Sequence, residues 1–164
     1  LLARIDQLMQ SDLQIIILGK GDWKYESKLQ ELQNRYYGKL KVIINFSTDI
    51  ANKIYAGSDM FLMPSKFEPC GLSQMIAMRY GTIPIVRRTG GLNDTVIGFN
   101  PAELTGNGFT FYSFNADDMC DAIYRAVGTY HNKREWISLI ANAMSADFSW
   151  KASASKYLEL YDRL

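Results

Sequence analysis

The sequence predicts an α/β fold: a doubly wound parallel sheet followed by three C-terminal helices. Three observations carry that prediction. Short apolar runs alternate with longer stretches of helical period, the pattern of βα units around a parallel sheet. Glycine-bearing turns follow three of the runs, where such a sheet presents its ligand loops. Beyond the last run the periodicity is helical alone.

Strands are expected at Leu13–Leu18, Leu40–Phe46, Met60–Met63, Ile83–Val86 and Phe109–Tyr112. After the first, Tyr25, Leu29, Leu32 and Tyr36 mark one helical stripe; after the second, Ile50, Ala51, Ile54 and Tyr55 mark another. Both helices are expected to cover the sheet. The third strand leads into Leu72, Met75, Ile76, Ala77, Met78 and Tyr80, an apolar surface too wide for one stripe, which predicts a central helix packed on several sides. Gly98–Gly108 reads as a surface loop. Asn115 is the expected N-cap of a helix whose stripe is Met119, Ala122, Ile123, Ala126 and Val127. Trp136, Leu139, Ile140, Ala143 and Met144 form the next stripe, and Trp150, Ala154, Tyr157, Leu158 and Tyr161 the last. That last helix offers more apolar surface than one small domain needs, and is expected to drive association when exposed.

A chain of 164 residues fits one domain, residues 1–164, and no Pro- or Ser-rich linker divides it. Lys+Arg number 18 and Asp+Glu 17, a net charge of +1, without the basic footprint that nucleic acid requires. The longest aliphatic runs fall far short of the roughly 18 residues that cross a bilayer. No nucleic acid and no membrane partner is expected. Cys70 and Cys120 cannot build a disulfide framework or a cysteine-rich zinc site, and the composition points to a reduced cytoplasm. His131 has no second His or Cys at ligand spacing and is expected on a surface loop. The start, Leu1-Leu2-Ala3, lacks a methionine and a charged leader, so the chain is expected to be a piece of a longer protein.

The turns after the strands carry the chemistry. Gly19-Lys20-Gly21-Asp22 allows close backbone approach to a ligand, although it fits neither a Walker loop nor a dinucleotide fingerprint. A plain pair of turn glycines accounts for it equally well. Pro64-Ser65-Lys66-Phe67-Glu68-Pro69-Cys70-Gly71-Leu72 ends with a glycine opening the apolar helix, where free N–H groups suit a phosphate. Glu68 beside an anion site costs repulsion unless it binds hydroxyls, which a sugar supplies; the alternative is that it caps the helix or pairs with Lys66. Arg87-Arg88-Thr89-Gly90-Gly91-Leu92 sets two cations before a turn that can present amides to an anion, or is a solvated arginine pair. Phe46 could stack on a flat ring, or belong to the core.

Glu68-Pro69-Cys70-Gly71-Leu72, Arg79-Tyr80-Gly81-Thr82 and Val86-Arg87-Arg88-Thr89-Gly90-Gly91-Leu92-Asn93-Asp94-Thr95-Val96 together resemble bacterial glycogen synthase and plant starch synthase. Leu18-Gly19-Lys20-Gly21-Asp22 is similar to that family's glycine turn, and Asp147-Phe148-Ser149-Trp150, with Tyr157, Leu160 and Tyr161, to its C-terminal signature. The resemblance implies the C-terminal, Rossmann-like half of a two-domain GT-B transferase, moving glucose from ADP-glucose to an α-1,4-glucan with retention. It implies Glu68 as the catalytic carboxylate, holding glucose hydroxyls and favouring an oxocarbenium-like transition state. Cys70, Gly71 and Leu72 would line the sugar-phosphate site. Thr89, Gly90 and Gly91 would meet the diphosphate, Phe46 the adenine, and Gly19 and Gly21 the nucleotide, and Arg88, one of the two cations before the turn, is expected to join them in binding the donor. Amides and cations would then offset charge on departing ADP. No Asp-x-Asp occurs, so no metal and no cofactor beyond the donor is expected.

Retaining glycosidases place a carboxylate nucleophile at the anomeric carbon. None is evident, and the resemblance implies same-face attack with the leaving phosphate taking the acceptor's proton. Ile76 stands where related retaining transferases carry a second Glu, and its absence fits the synthase subgroup, whose members also lack it. Lys20 stands where the family more often has a small residue. The family's diphosphate-gripping Arg and Lys and its glucan-binding domain map upstream of Leu1, so this chain alone is expected to be inert. The implied compartment is the bacterial cytoplasm, or a plastid in a plant. The competing readings are a UDP-sugar or sucrose-type transferase, separable by base preference, and a non-catalytic nucleotide-binding module.

Overall fold

The computed structural model describes residues 1–163; Leu164 lies outside them. A single 3-10 turn, Leu2–Arg4, leads into the short helix α1 (Ile5–Leu8), whose Ile5 and Leu8 are buried. β1 (Ile15–Leu18) then pairs in parallel with β2 (Leu40–Ile43), Ile15 opposite Leu40 and Leu18 opposite Ile43. β3 (Met60–Met63), β4 (Ile83–Arg87) and β5 (Phe109–Phe111) form a second parallel ladder with β4 in the middle. Parallel neighbours need crossovers, and helices supply them: α2 (Trp23–Arg35) between β1 and β2, and α4 (Ser73–Arg79) between β3 and β4. Between the ladders runs α3 (Thr48–Gly57). The short α5 (Gly91–Thr95) follows β4, and α6 (Ala116–Tyr130), α7 (Lys133–Ser145) and α8 (Trp150–Tyr161) complete the chain.

Strands flank β4 on both sides, and Ile83, Ile85 and Val86 are accordingly buried. Pro84 can sit in this central strand because the β5 pairing starts only at Ile85, so its missing N–H interrupts no bond on that side. The residues of β3, with a single neighbouring strand, are only half-buried. Side chains cap the longer helices as their sequences require. Asp22, Ser47, Asn115, Asn132 and Ser149 each accept a backbone N–H from the first turn of α2, α3, α6, α7 and α8. Hydrogen bonds from Ser149, the amide first, also hold the Asp147 carboxyl below its ordinary range.

All five expected strands are present, and the middle one has the expected bounds. The fourth runs one residue further, to Arg87, which pairs with Phe111, and the other three are trimmed because a parallel ladder ends with its partner. β1 lacks Leu13 and Gln14, and β2 stops at Ile43, leaving Phe46 in the following loop. The fourth helix packs on several sides, as expected, against β3, β4, α3 and α7, but one face stays open. Gln74, Ala77 and Met78 of α4 are buried, but Leu72, Ile76 and Tyr80 on its other face are exposed. The Gly98–Gly108 loop is more ordered than its composition suggests: Gly98 and Gly108 form a parallel bridge, Asn100 and Thr105 an antiparallel one, and Asn107 is buried inside. Among the described residues, no helix is long and apolar enough to cross a membrane.

Candidate functional site

β3 and β4 are parallel neighbours, so the segments leaving their carboxyl ends start side by side. The first is Pro64–Leu72 and the second Arg88–Gly91. They touch at the limit of backbone approach. The Gly91 amide donates to the Glu68 carbonyl at 3.2 Å. A Cβ on Gly90 would lie 2.0 Å from the Glu68 carbonyl oxygen, and one on Gly91 2.0 Å from that of Cys70. Gly90 also has φ +46°, and Gly71, at the start of α4, has φ +75°. Only glycine reconciles these torsions and contacts. The glycines read from the sequence as ligand contacts are therefore first what lets two loops close on each other.

Glu68 is half-buried between them, and the Ser65 hydroxyl donates to its Oε2 at 3.2 Å. Its Oε1 has no partner among the described residues, and no bond to Lys66 forms. The backbone amides of Gly71, Leu72, Thr89 and Gly90 have no hydrogen-bond partner among the described residues. The pair of loops thus offers N–H donors beside a carboxylate, the combination suited to an anion carrying a hydroxylated group. Cys70 is an exposed thiol at the same edge, and Leu72 is exposed at the N-cap of α4.

The two arginines divide their work. Arg87 is committed to the protein: it donates to the Ser65 carbonyl at 2.8 Å and to the Lys66 carbonyl, and stacks 5.6 Å above the Phe114 ring. It fixes the Glu68 loop from below. Arg88 is exposed; Asn93 accepts from its Nε at 2.8 Å, Tyr112 accepts through its hydroxyl, and the Tyr112 ring lies 4.9 Å from the guanidinium carbon. A guanidinium held on one side by an aromatic ring and an amide is preorganised for an anion on the other.

The remaining expected site residues lie at the ends of the first ladder. The Gly19 amide donates to the Ile43 carbonyl at 3.1 Å and the Gly21 amide to Glu26 Oε1 at 2.8 Å, so both amides are already used. A Cβ on either would meet nothing within 4 Å, so the fold does not need glycine there; room for a ligand's approach remains. Phe46 is 87% exposed beyond β2, which removes it from the core and leaves its ring free to stack. No hydrogen bond or ion pair joins Gly19, Gly21 or Phe46 to the Glu68–Gly91 cluster among the described residues. His131 is exposed, as expected. Among the described residues, no three His, Cys, Asp or Glu side chains converge as a metal site would.

Behind the loops lie three polar residues, Gln74, Thr95 and Asn107; the sequence alone gives Gln74 and Asn107 no role and shows Thr95 only as part of a longer motif. Gln74 Nε2 donates to the Gly71 carbonyl at 2.7 Å and to Thr95 Oγ1 at 3.0 Å, and Asn107 Nδ2 donates to the Thr95 carbonyl at 3.1 Å. A glutamine among the apolar residues of one helix was the available signal.

The family model described as "Glycosyl transferases group 1" matches residues 1–139. Glycogen synthase of Anoxybacillus flavithermus is 54% identical over 158 residues, which are 96% of this chain and 33% of that protein. Glycogen synthase of Desulfitobacterium hafniense is 50% identical across 100% of this chain and 35% of its own length. The chain thus spans about a third of the length of the curated relatives it matches. Among solved structures, the catalytic domain of starch synthase IV from Arabidopsis thaliana, bound to ADP and acarbose, aligns with a TM-score of 0.84 and 36% identity. That alignment covers 98% of this chain and 34% of the plant chain. Anabaena HepE in complex with UDP-glucose, at 20% identity and a TM-score of 0.71, shares the fold. The two glycine loops at the ends of β3 and β4 are therefore part of a chain that belongs to the group 1 glycosyl transferases.

Proposed function

We propose that the chain is the donor-binding lobe of a glycogen or starch synthase, taking ADP-glucose for retaining transfer to the non-reducing end of an α-1,4-glucan. The observation that carries the reading is the likeness, over 98% of the chain, to a starch synthase domain whose structure holds ADP and acarbose. The identity of 54% to a bacterial glycogen synthase supports the same substrate class. Glu68 is the catalytic carboxylate: its free Oε1 meets glucose hydroxyls, and its charge favours positive character at the anomeric carbon. Unpartnered amides of Gly71, Leu72, Thr89 and Gly90, with Arg88, take the charge that grows on the departing diphosphate. Cys70 lines the sugar-phosphate side. Phe46 stacks on the adenine, and Gly19 and Gly21 admit the nucleotide close to the backbone. The glucan is bound by the part of the protein outside this chain, so this chain alone does not extend glucan. The reading assigns the diphosphate charge to these groups without a metal, and places the enzyme in the bacterial cytoplasm, or in a plastid in a plant.

Titration with ADP, UDP and ADP-glucose, followed through the amide shifts of labelled glycines, tests the site. Selective movement of Gly71, Gly90 and Gly91 with the adenine nucleotides is expected; equal response to UDP makes the enzyme a different nucleotide-sugar transferase. In the full-length protein, Glu68→Gln is expected to lower kcat by about a hundredfold or more while ADP affinity changes little. A variant that keeps its kcat removes Glu68 from the chemistry.

A further inference from the structure

Gln74 is a polar side chain with 0% of its surface exposed, on the face of α4 it shares with Ala77 and Met78. Packing alone would be served there by leucine or methionine, and the glutamine carries a visible cost: its Oε1 is buried without a partner. Its other end is fully used. Gly71 O and Thr95 Oγ1 each accept a hydrogen from Nε2, at 2.7 and 3.0 Å. Thr95 has one hydroxyl proton and gives it to the Gly91 carbonyl at 2.8 Å, so it can only accept from Gln74. The amide orientation follows from this chemistry, since the reversed amide would set Oε1 against the Gly71 carbonyl. One relay therefore runs from Gly71, in the loop after β3, through Gln74 and Thr95 to Gly91, in the loop after β4.

We propose that Gln74, acting through Thr95, is a positioning residue for nucleotide-diphosphate binding: it fixes the spacing of the two glycine loops whose free amides receive the anion. The inference rests on the donor-site reading above. Gln74 touches no substrate; it acts on Gly71 and Gly91 from behind. Those loops already approach at the steric limit, with Gly91 N–H on the Glu68 carbonyl, so the front contacts stop them closing further and the relay behind stops them opening. Preorganised amides are effective because their spacing is set before the ligand arrives.

The experiment measures ADP dissociation, and KM for ADP-glucose and for glucan, in the full-length protein with Gln74→Met, Gln74→Glu, Thr95→Val and Thr95→Ser. Methionine keeps the bulk and removes the donor; glutamate keeps the shape and presents oxygen to the Gly71 carbonyl. Expected is a rise of roughly tenfold in the ADP dissociation constant and in KM for ADP-glucose for Gln74→Met, Gln74→Glu and Thr95→Val. KM for glucan stays unchanged, and Thr95→Ser, which keeps the hydroxyl, behaves as wild type. A merely structural role would lower the amount of active enzyme and move neither KM. Wild-type ADP affinity in both Gln74→Met and Thr95→Val overturns the inference and leaves the donor site standing. Failure of the wild-type protein to bind ADP overturns the donor site, and the inference with it.

Discussion

Gly90 and Gly91 differ from Gly19 and Gly21 in what a side chain would meet, and the difference separates glycines the fold needs from glycines it merely tolerates. A Cβ at Gly91 would face the carbonyl oxygen of Cys70 at 2.0 Å and its carbonyl carbon at 2.6 Å, all backbone, so no side chain can move aside. Gly91→Ala is expected to cost about 2 kcal/mol or more, because one loop must be displaced as a whole. At Gly21 nothing lies within 4 Å and φ is not positive, while the amide stays on Glu26. Gly21→Ala is expected to shift stability by no more than about 0.5 kcal/mol. Thermal unfolding of the two variants checks both, and a Gly91→Ala protein as stable as Gly21→Ala would mean that the loops do not sit as close as described. The sequence shows the same residue at all four positions. Its reading as ligand-facing glycine was open to Gly21, while at Gly91 the dominant constraint is a neighbouring loop that only tertiary structure brings near.

At the scale of elements, helices with a long stripe and a polar cap were legible, and short ones were not. Asn115 before Met119, Ala122 and Ile123 announced α6, and the structure places the cap on Asp118 N at 2.8 Å. α1 and α5, of four and five residues, are too short to show a period and exist because tertiary contacts bury Ile5, Leu8 and Leu92. α8 is the opposite case: legible as a helix, yet contributing no residue to the core among the described residues. Trp150 is 91% exposed and Tyr161 65%, with Tyr157 and Leu158 exposed between them. An aromatic face of that extent in water favours contact with another apolar surface. The chain is expected to associate as its concentration rises, and replacing Trp150, Tyr157 and Tyr161 together with serine is expected to abolish association without changing the thermal midpoint. Sedimentation velocity across a concentration series decides this. A chain that stays monomeric throughout contradicts it.

Across the whole molecule, stability is unevenly distributed because the two ladders are unequal. β4 is buried among β3, β5 and the helices α4, α6 and α7, and most of the buried core lies there. In the other ladder β1 has Ile16 exposed and its remaining residues half-buried, and α2 buries only Leu32. Openings of low free energy occur where little apolar surface is lost. Native-state hydrogen exchange is therefore expected to find Ile15–Leu18 and Leu40–Ile43 opening before Ile83–Arg87 and Phe109–Phe111. Equal protection in both ladders would mean that they unfold as one unit. The same measurement asks whether the donor spans them. Gly19, Gly21 and Phe46 follow the strands of one ladder, and Gly71, Gly90 and Gly91 follow strands of the other. A ligand that touches both must hold the weaker ladder closed, by about 2.7 kcal/mol at a concentration of 100 dissociation constants. ADP is expected to slow exchange in β1 and β2 as well as around Gly91. Slowing confined to the Glu68–Gly91 loops would remove Gly19, Gly21 and Phe46 from the donor site and leave the paired loops as its whole extent in this chain.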